Sequence, residues 1–168
     1  ALAGEMVRPG VTTKQIDKAV HDYIVAQGAK PSFLNYGGFP ASSCISINDE
    51  IIHGIPNRKR IIQNGDIVSI DVGAFIDGYH GDNAYTFAAG DISDEAKKLL
   101  EATEQSLYEA IKVAVAGNRI GDIGNAINSY VVENGFTTVK RYIGHGIGTE
   151  LHQSPDVPNF GTAGRGTR

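Results

Sequence analysis

A single cysteine, Cys44, excludes an internal disulfide framework and suits a reducing compartment, so the cytoplasm is the expected location. No apolar run nears the ~20 residues that a membrane-spanning helix needs, and no membrane partner is expected. Positive charge is not in excess either. Fifteen Lys and Arg against 19 Asp and Glu leave a net charge of −4, with no general attraction to nucleic acid. The basic cluster Arg58-Lys59-Arg60 follows a Pro-Asn turn and reads as a solvated loop rather than a phosphate site. What is there, 41% hydrophobic and 20% charged residues over 168 positions, describes one well-cored domain. An initiator Met is also lacking. Ala1-Leu2-Ala3 with Met6-Val7 reads as the last turns of a helix begun earlier, and Gly161 to Arg168 as a loop with nothing after it. Both ends look cut, and a removed targeting segment stays open.

The stretch from Asp66 to Phe87 carries the most information. Asp66 to Ile76 alternates and then runs apolar and β-branched, Asp77-Gly78 is a strong two-residue turn signal, and Tyr79 to Phe87 returns with aromatics and Thr. A hairpin closed there sets Ile76 against Tyr79 and Gly73 against Asp82. Period-two alternation then puts Asp71 and Asp82 on one face as diagonal neighbours, about 7–8 Å apart and within reach of a shared cation. Two buried carboxylates in an apolar hairpin repel each other and resist desolvation unless protonated, paired with a base or bound to metal. Acids in water at a strand edge are the bland alternative. The apolar setting of Asp71, after Ile67, Val68 and Ile70, favours metal ligation.

Helices flank this hairpin. Thr12 and Gln15 form a capping box for a helix whose buried face is Ile16, Ala19, Val20, Tyr23 and Ile24, with Gly28 as its C′ residue. Ser93 is placed to cap a long helix with an apolar stripe of Leu99, Leu100, Thr103, Leu107, Ala110, Ile111 and Ala114, ended by Gly117. Another runs from about Ile120 to Glu133. Shifted by 107 positions, Gly10 meets Gly117, Ile16 Ile123, Ala19 Ala126, Tyr23 Tyr130, Gly28 Gly135 and Gly37 Gly144. Six identities at one offset, some of them glycines outside the helices, point to an internal duplication: two related halves, 1–90 and 91–168, about a pseudo-twofold axis.

Other chemistry lies in loops. The Ser32 to Ser43 stretch carries Phe33, Tyr36 and Phe39, and is either a loop packed on its own rings or an apolar pocket wall. Cys44 to Ile52 alternates as a strand ending at His53 before Gly54-Ile55-Pro56, where a structural histidine is the default reading. Glycines on both sides of His145 allow its imidazole close approach to an ion or ligand, which makes it a metal-ligand candidate. Carboxylates with one His suit Mn²⁺, Fe²⁺, Co²⁺ or Zn²⁺. His152 either donates to a developing oxyanion or caps the loop before Ser154-Pro155.

Three segments, NYGGFPASSCISINDEIIHGIP, GDIVSIDVGAFIDGYHGDNAYTF and YIGHGIGTELHQSPDVPNFG, closely resemble type I methionine aminopeptidases, which share the pita-bread fold with prolidases and creatinase. The resemblance implies an α+β domain over 1–168, with pseudo-twofold related halves, an antiparallel sheet covered by helices, and the second half incomplete. It implies metal-dependent removal of the initiator Met from nascent polypeptides, with the ribosome a further partner it allows. Asp71, Asp82 and His145 would be ligands of two divalent ions (Mn, Fe, Co or Zn). His53 and His152 would contact the substrate backbone and stabilise the tetrahedral intermediate, and Tyr36, Phe39 and Cys44 would line the pocket for the Met side chain.

In one respect the sequence departs from the family pattern. The family has two further Glu ligands after the GHGIG segment, and the same offset of 107 carries Asp71 and Asp82 to 178 and 189, past Arg168. This chain alone is therefore expected to bind metal weakly and to be inactive or nearly so. Two competing readings remain: an Xaa-Pro metallopeptidase, and a non-catalytic pita-bread binding module, against which the intact Asp71, Asp82 and His145 argue.

Overall fold

In the computed structural model of the chain, which describes residues 2–168, Asp77 and Gly78 both take left-handed backbone angles, φ 52° and 87°. That turn matches the twist of two antiparallel strands, and it joins β3 (Ile67–Ile76) to β4 (Tyr79–Ala88) in the expected register, Ile76 opposite Tyr79 and Gly73 opposite Asp82. Strand β3 is central. It pairs along one edge with β1 (Lys30–Pro31) and β2 (Ser43–Ile47), and along the other with β4, the edge strand. The chain divides into two compact units, of which this sheet belongs to Ala1–Ser93 with Ile147–Leu151.

Alternation decides what each face of β3 does. Val68, Ile70, Val72 and Ala74 point to the side of helix α2 (Thr13–Ala26), where Ile16, Val20 and Ile24 close over Ile45, Ile47 and Ile62. Full burial of each such side chain contributes about 1.5–3 kcal/mol. Asp71, Gly73 and Phe75 are left on the opposite face. The Thr12–Gln15 capping box is present, and Gly28 follows the helix at φ 76°. A short helix, α1 (Leu2–Glu5), precedes it; Ala1, part of the expected helix end, lies outside the described residues.

Three expectations are corrected in this unit. Tyr23 is 56% exposed, and the helix buries Asp17 instead, at 2%. The Asp17 carboxylate is satisfied there: it accepts from Ser42 N at 2.9 Å, Ser43 N at 3.0 Å, the Ser43 hydroxyl at 3.1 Å and Lys14 Nζ at 2.7 Å, fastening α2 to the start of β2. The strand expected over Cys44 to Ile52 stops at Ile47. Asn48 turns left-handed (φ 54°) and its side chain bonds Asp66 and the Ile67 amide, leaving Ile51 and Ile52 exposed. Asp82 is not buried but exposed: among the described residues β4 pairs with β3 and with no strand on its outer side.

The second unit, Asp94–Gly146 with His152–Arg168, holds α3 (Asp94–Val113), α4 (Ile120–Glu133), β5 (Gly144–Gly146) and β6 (Gln153–Val157). Helix α3 starts immediately after Ser93, as expected. Its buried face is Ala102, Ser106 and Ala110, whereas the expected Leu107 and Ile111 are each 56% exposed. Helices α3 and α4 pack against each other, and the buried positions of α3 carry small side chains. Residues 13–26 of α2 and 120–133 of α4 stand 107 positions apart at both ends, as do the left-handed glycines Gly10 and Gly117 and Gly28 and Gly135.

Residues after Gly161 form no helix or strand, but they are bonded to α4. Thr167 and Arg165 carbonyls accept from Ile120 N and Gly121 N at 2.9 Å each, and Gly164 N donates to Asp122 Oδ1 at 2.6 Å. The Gly164 amide, then that of Arg119, holds the Asp122 carboxyl below its ordinary range. A Cβ on Gly121 would lie 2.4 Å from the Thr162 carbonyl oxygen, and one on Gly124 2.3 Å from that of Phe160, so both glycines admit this segment. Among the described residues no helix is long and apolar enough to cross a membrane.

Candidate metal centre

Asp71 faces Ala84 and Asp82 faces Gly73 across the hairpin, which makes the two carboxylates diagonal neighbours on the sheet face away from α2. Asp71 Oδ1 is buried with no hydrogen-bond partner. Burial first, then the hydrogen bond and the charge of Asp82, push the Asp71 pKa up to about 7, against the pull of the Val72 backbone. A buried carboxylate oxygen lacking a donor, beside a second carboxylate, is a site short of positive charge. Oxygen donors of this kind fit a divalent cation. Among the described residues no group of three or more His, Cys, Asp or Glu is arranged to hold a metal ion, so the carboxylate pair stands as a partial ligand set.

Cys44 faces Asp71 from β2 and is 6% exposed. Burial, then Asp71, Asp82 and Asp17, push its thiol up to about 12, so it is a neutral apolar wall and not a thiolate ligand. It packs with Phe33 and Leu151, and Phe39 covers the cluster. Of the three pocket residues expected from sequence, Cys44 and Phe39 therefore meet, while Tyr36 is 52% exposed. Phe33 stands in the aromatic loop read as either packed on its own rings or an apolar pocket wall, and Leu151 is in neither reading. The aromatic run around Tyr36 was the signal for Phe33; nothing local marked Leu151. A Cβ on Gly73 would come 2.6 Å from the Phe33 ring, so this glycine sets how closely the ring covers the hairpin beside Asp82.

His53 is exposed and held at φ 60°, a left-handed conformation a non-glycine residue adopts at a cost of about 1–2 kcal/mol. The next residue explains the constraint. Gly54 is bonded on both sides, its carbonyl accepting from Ile45 N at 2.8 Å and its amide donating to Ser46 Oγ at 3.0 Å, and a Cβ there would stand 2.1 Å from the Ile45 carbonyl oxygen.

In the second unit His145 lies in β5 opposite Asp156 of β6. Its Nδ1 is 2.9 Å from the Gly146 carbonyl, which only accepts, so Nδ1 is the donor and the ring orientation is fixed by that bond. The His145 and His152 rings stand 4.1 Å apart, between centroids, along a cleft of about 770 Å³ also lined by Ile143 and Pro155. The flanking glycines serve strand contact: Cβ atoms on Gly144 and Gly146 would lie 2.9 Å and 2.6 Å from the carbonyl oxygens of Val157 and Ser154.

The family model for metallopeptidase family M24 matches residues 1–168. Methionine aminopeptidase from Clostridium acetobutylicum is 51% identical over 161 residues, covering 96% of this chain and 64% of that protein. The crystal structure of methionine aminopeptidase from Rickettsia prowazekii superposes with a TM-score of 0.95 at 41% identity, over 97% of this chain and 65% of that one. Prolidase from Pyrococcus furiosus, at 23% identity and a TM-score of 0.82 over 98% of this chain and 48% of that one, shares the fold alone. The chain spans less than two thirds of the length of the Clostridium acetobutylicum relative.

Proposed function

Since the chain belongs to metallopeptidase family M24 and has its pita-bread fold, we propose that the whole protein removes the initiator Met from nascent polypeptides by metal-dependent hydrolysis. The observation that carries this is the Asp71 and Asp82 pair, with its unpartnered buried oxygen and its carboxyl held near pH 7. Asp71, Asp82 and His145 would hold the metal. When bound, two divalent ions (Mn, Fe, Co or Zn) supply polarisation of the scissile carbonyl and a water of lowered pKa. His53 and His152 contact the substrate backbone and donate to the oxygen on which charge develops. Phe39, Cys44 and Tyr36 line the pocket for the Met side chain, and Phe33 and Leu151 extend it. Residues 1–90 and 91–168 act as related halves of one catalytic domain. The setting is the cytoplasm, where nascent chains, and the ribosome that presents them, are the partners.

The sequences at 41–51% identity support Met specificity over Xaa-Pro cleavage, for which the likeness is one of fold. The test is hydrolysis of Met-Ala-Ser by the full-length protein with Mn²⁺ or Co²⁺, beside a panel containing Xaa-Pro peptides. Release of Met that is lost in Asp82→Asn is the expected result. Preference for Xaa-Pro, or turnover indifferent to Asp82→Asn, would overturn the proposal. The 168-residue chain alone is expected to release little or no Met.

A further inference from the structure

His80 has no place in the scheme above, yet it bonds chain segments that carry two walls of the apolar cluster, at Ser32 and at Gly148. It stands on β4 two residues before Asp82 and on the same face, opposite Phe75, with the two rings 4.6 Å apart. Its Nδ1 is 2.9 Å from the hydroxyl of Ser32, a side chain 9% exposed. Ser32 in turn donates its backbone N–H to the Gly73 carbonyl at 2.9 Å, and Phe33, the next residue, lays its ring over Gly73 and against Cys44 and Leu151. The backbone N–H of the same His80 donates to the Gly148 carbonyl at 2.7 Å, tethering the segment Ile147–Leu151 that supplies Leu151. One residue thus holds Ser32, the neighbour of Phe33, with its side chain, and Gly148, in the segment of Leu151, with its main chain.

We propose that His80 is a positioning residue which, through Ser32, fixes the Phe33 wall and so sets the width of the pocket that receives the apolar N-terminal side chain. Removing the imidazole leaves the buried Ser32 hydroxyl without its partner, and Phe33 then loses the anchor adjacent to it in the chain. The ring is free to tilt off Gly73, and the pocket widens while the carboxylates stay where the hairpin turn puts them. The effect falls on substrate fit and not on the metal. This inference rests on the aminopeptidase reading proposed above.

The experiment uses the full-length protein loaded with Co²⁺ and Met-Ala-Ser as substrate. His80→Ala is expected to raise KM about tenfold with kcat within about twofold, the pattern of lost substrate positioning. Ser32→Ala is expected to do the same, and the double substitution to do no more than either single one. His80→Asn, whose amide reaches the Ser32 hydroxyl, is expected to restore most of the wild-type KM. Co²⁺ affinity measured by calorimetry is expected to be the same in all four variants. Wild-type KM in both His80→Ala and Ser32→Ala would overturn the proposal, as would a fall in kcat and Co²⁺ affinity together, which would place His80 at the metal. Should His80→Ala fail to fold, Ser32→Ala alone decides. A wild-type protein that released no Met would overturn the aminopeptidase reading, an outcome distinct from variants that match an active wild type.

Discussion

Replacing Asp71 by Asn is expected to stabilise this chain in the absence of metal and to remove its response to metal. The pKa of Asp71 stands at about 7, against 3.8 for an ordinary Asp, so the folded state favours the neutral acid. The sign follows from linkage. Below pH ~4 the group is protonated folded and unfolded alike and costs nothing. As pH rises from about 4 to 7 the unfolded chain ionises while the folded one resists, and stability falls; above 7 the penalty is complete. At about 1.4 kcal/mol per pH unit the displacement corresponds to about 4 kcal/mol, which partial exposure and salt reduce to about 1–2 kcal/mol for folding. Urea unfolding of both forms in chelator at pH 4, 6 and 8 reads this directly. Asp71→Asn should gain about 1–2 kcal/mol at pH 8 and almost nothing at pH 4. Millimolar Mn²⁺ or Co²⁺ should raise the wild-type midpoint at pH 8 and leave that of the variant alone. A variant destabilised equally at all three pH values would refute the reasoning, because Asp71 would then be a satisfied structural acid.

Three further outcomes are expected. Asp17→Ala strands the Ser42 and Ser43 amides and the Ser43 hydroxyl, and should cost about 3–5 kcal/mol in urea unfolding. Gly73→Ala drives a methyl into the Phe33 ring and should cost about 1–3 kcal/mol, with a raised KM for Met-Ala-Ser in the full-length protein. The depressed Asp122 carboxyl contributes stability that is present above the ordinary Asp pKa and is lost as pH falls through the lower folded value; acid titration followed by circular dichroism should show Asp122→Asn without that step.

Local chemistry made much of this fold legible. The Asp77-Gly78 turn and the alternation around it fixed a ten-residue register, hence the diagonal placing of Asp71 and Asp82. The Thr12 box, the C′ glycines and the offset of 107 foretold helices whose ends coincide with those observed. What stayed hidden depends on partners distant in sequence. Asp17 looks like a solvent-facing acid until Ser42 and the first residue of β2, Ser43, arrive with three donors. Of the expected stripe on α3, Ala110 is buried as read, but Leu107 and Ile111 obey helical periodicity and stay exposed while the small Ala102 and Ser106 are buried. Strands β1, β5 and β6, two to five residues long, carry too little pattern to announce themselves. The glycines beside His145, read as letting its imidazole approach an ion or ligand, stand against the backbone of β6.

The twin helices α2 and α4 differ in how their first turns are closed, and this bears on synthesis. Thr12 and Gln15 close α2 from within four consecutive residues. The amides of Ile120 and Gly121 instead await the carbonyls of Thr167 and Arg165, more than forty residues downstream. As the chain is made, the first helix can seal within its own turn, and its counterpart closes in part within four residues through Arg119 N on Asp122, but its Ile120 and Gly121 amides find their carbonyls only once residue 167 has been added. The ordering cost of bringing those distant segments together falls on α4, so two helices of equal length and matching register acquire different schedules of assembly.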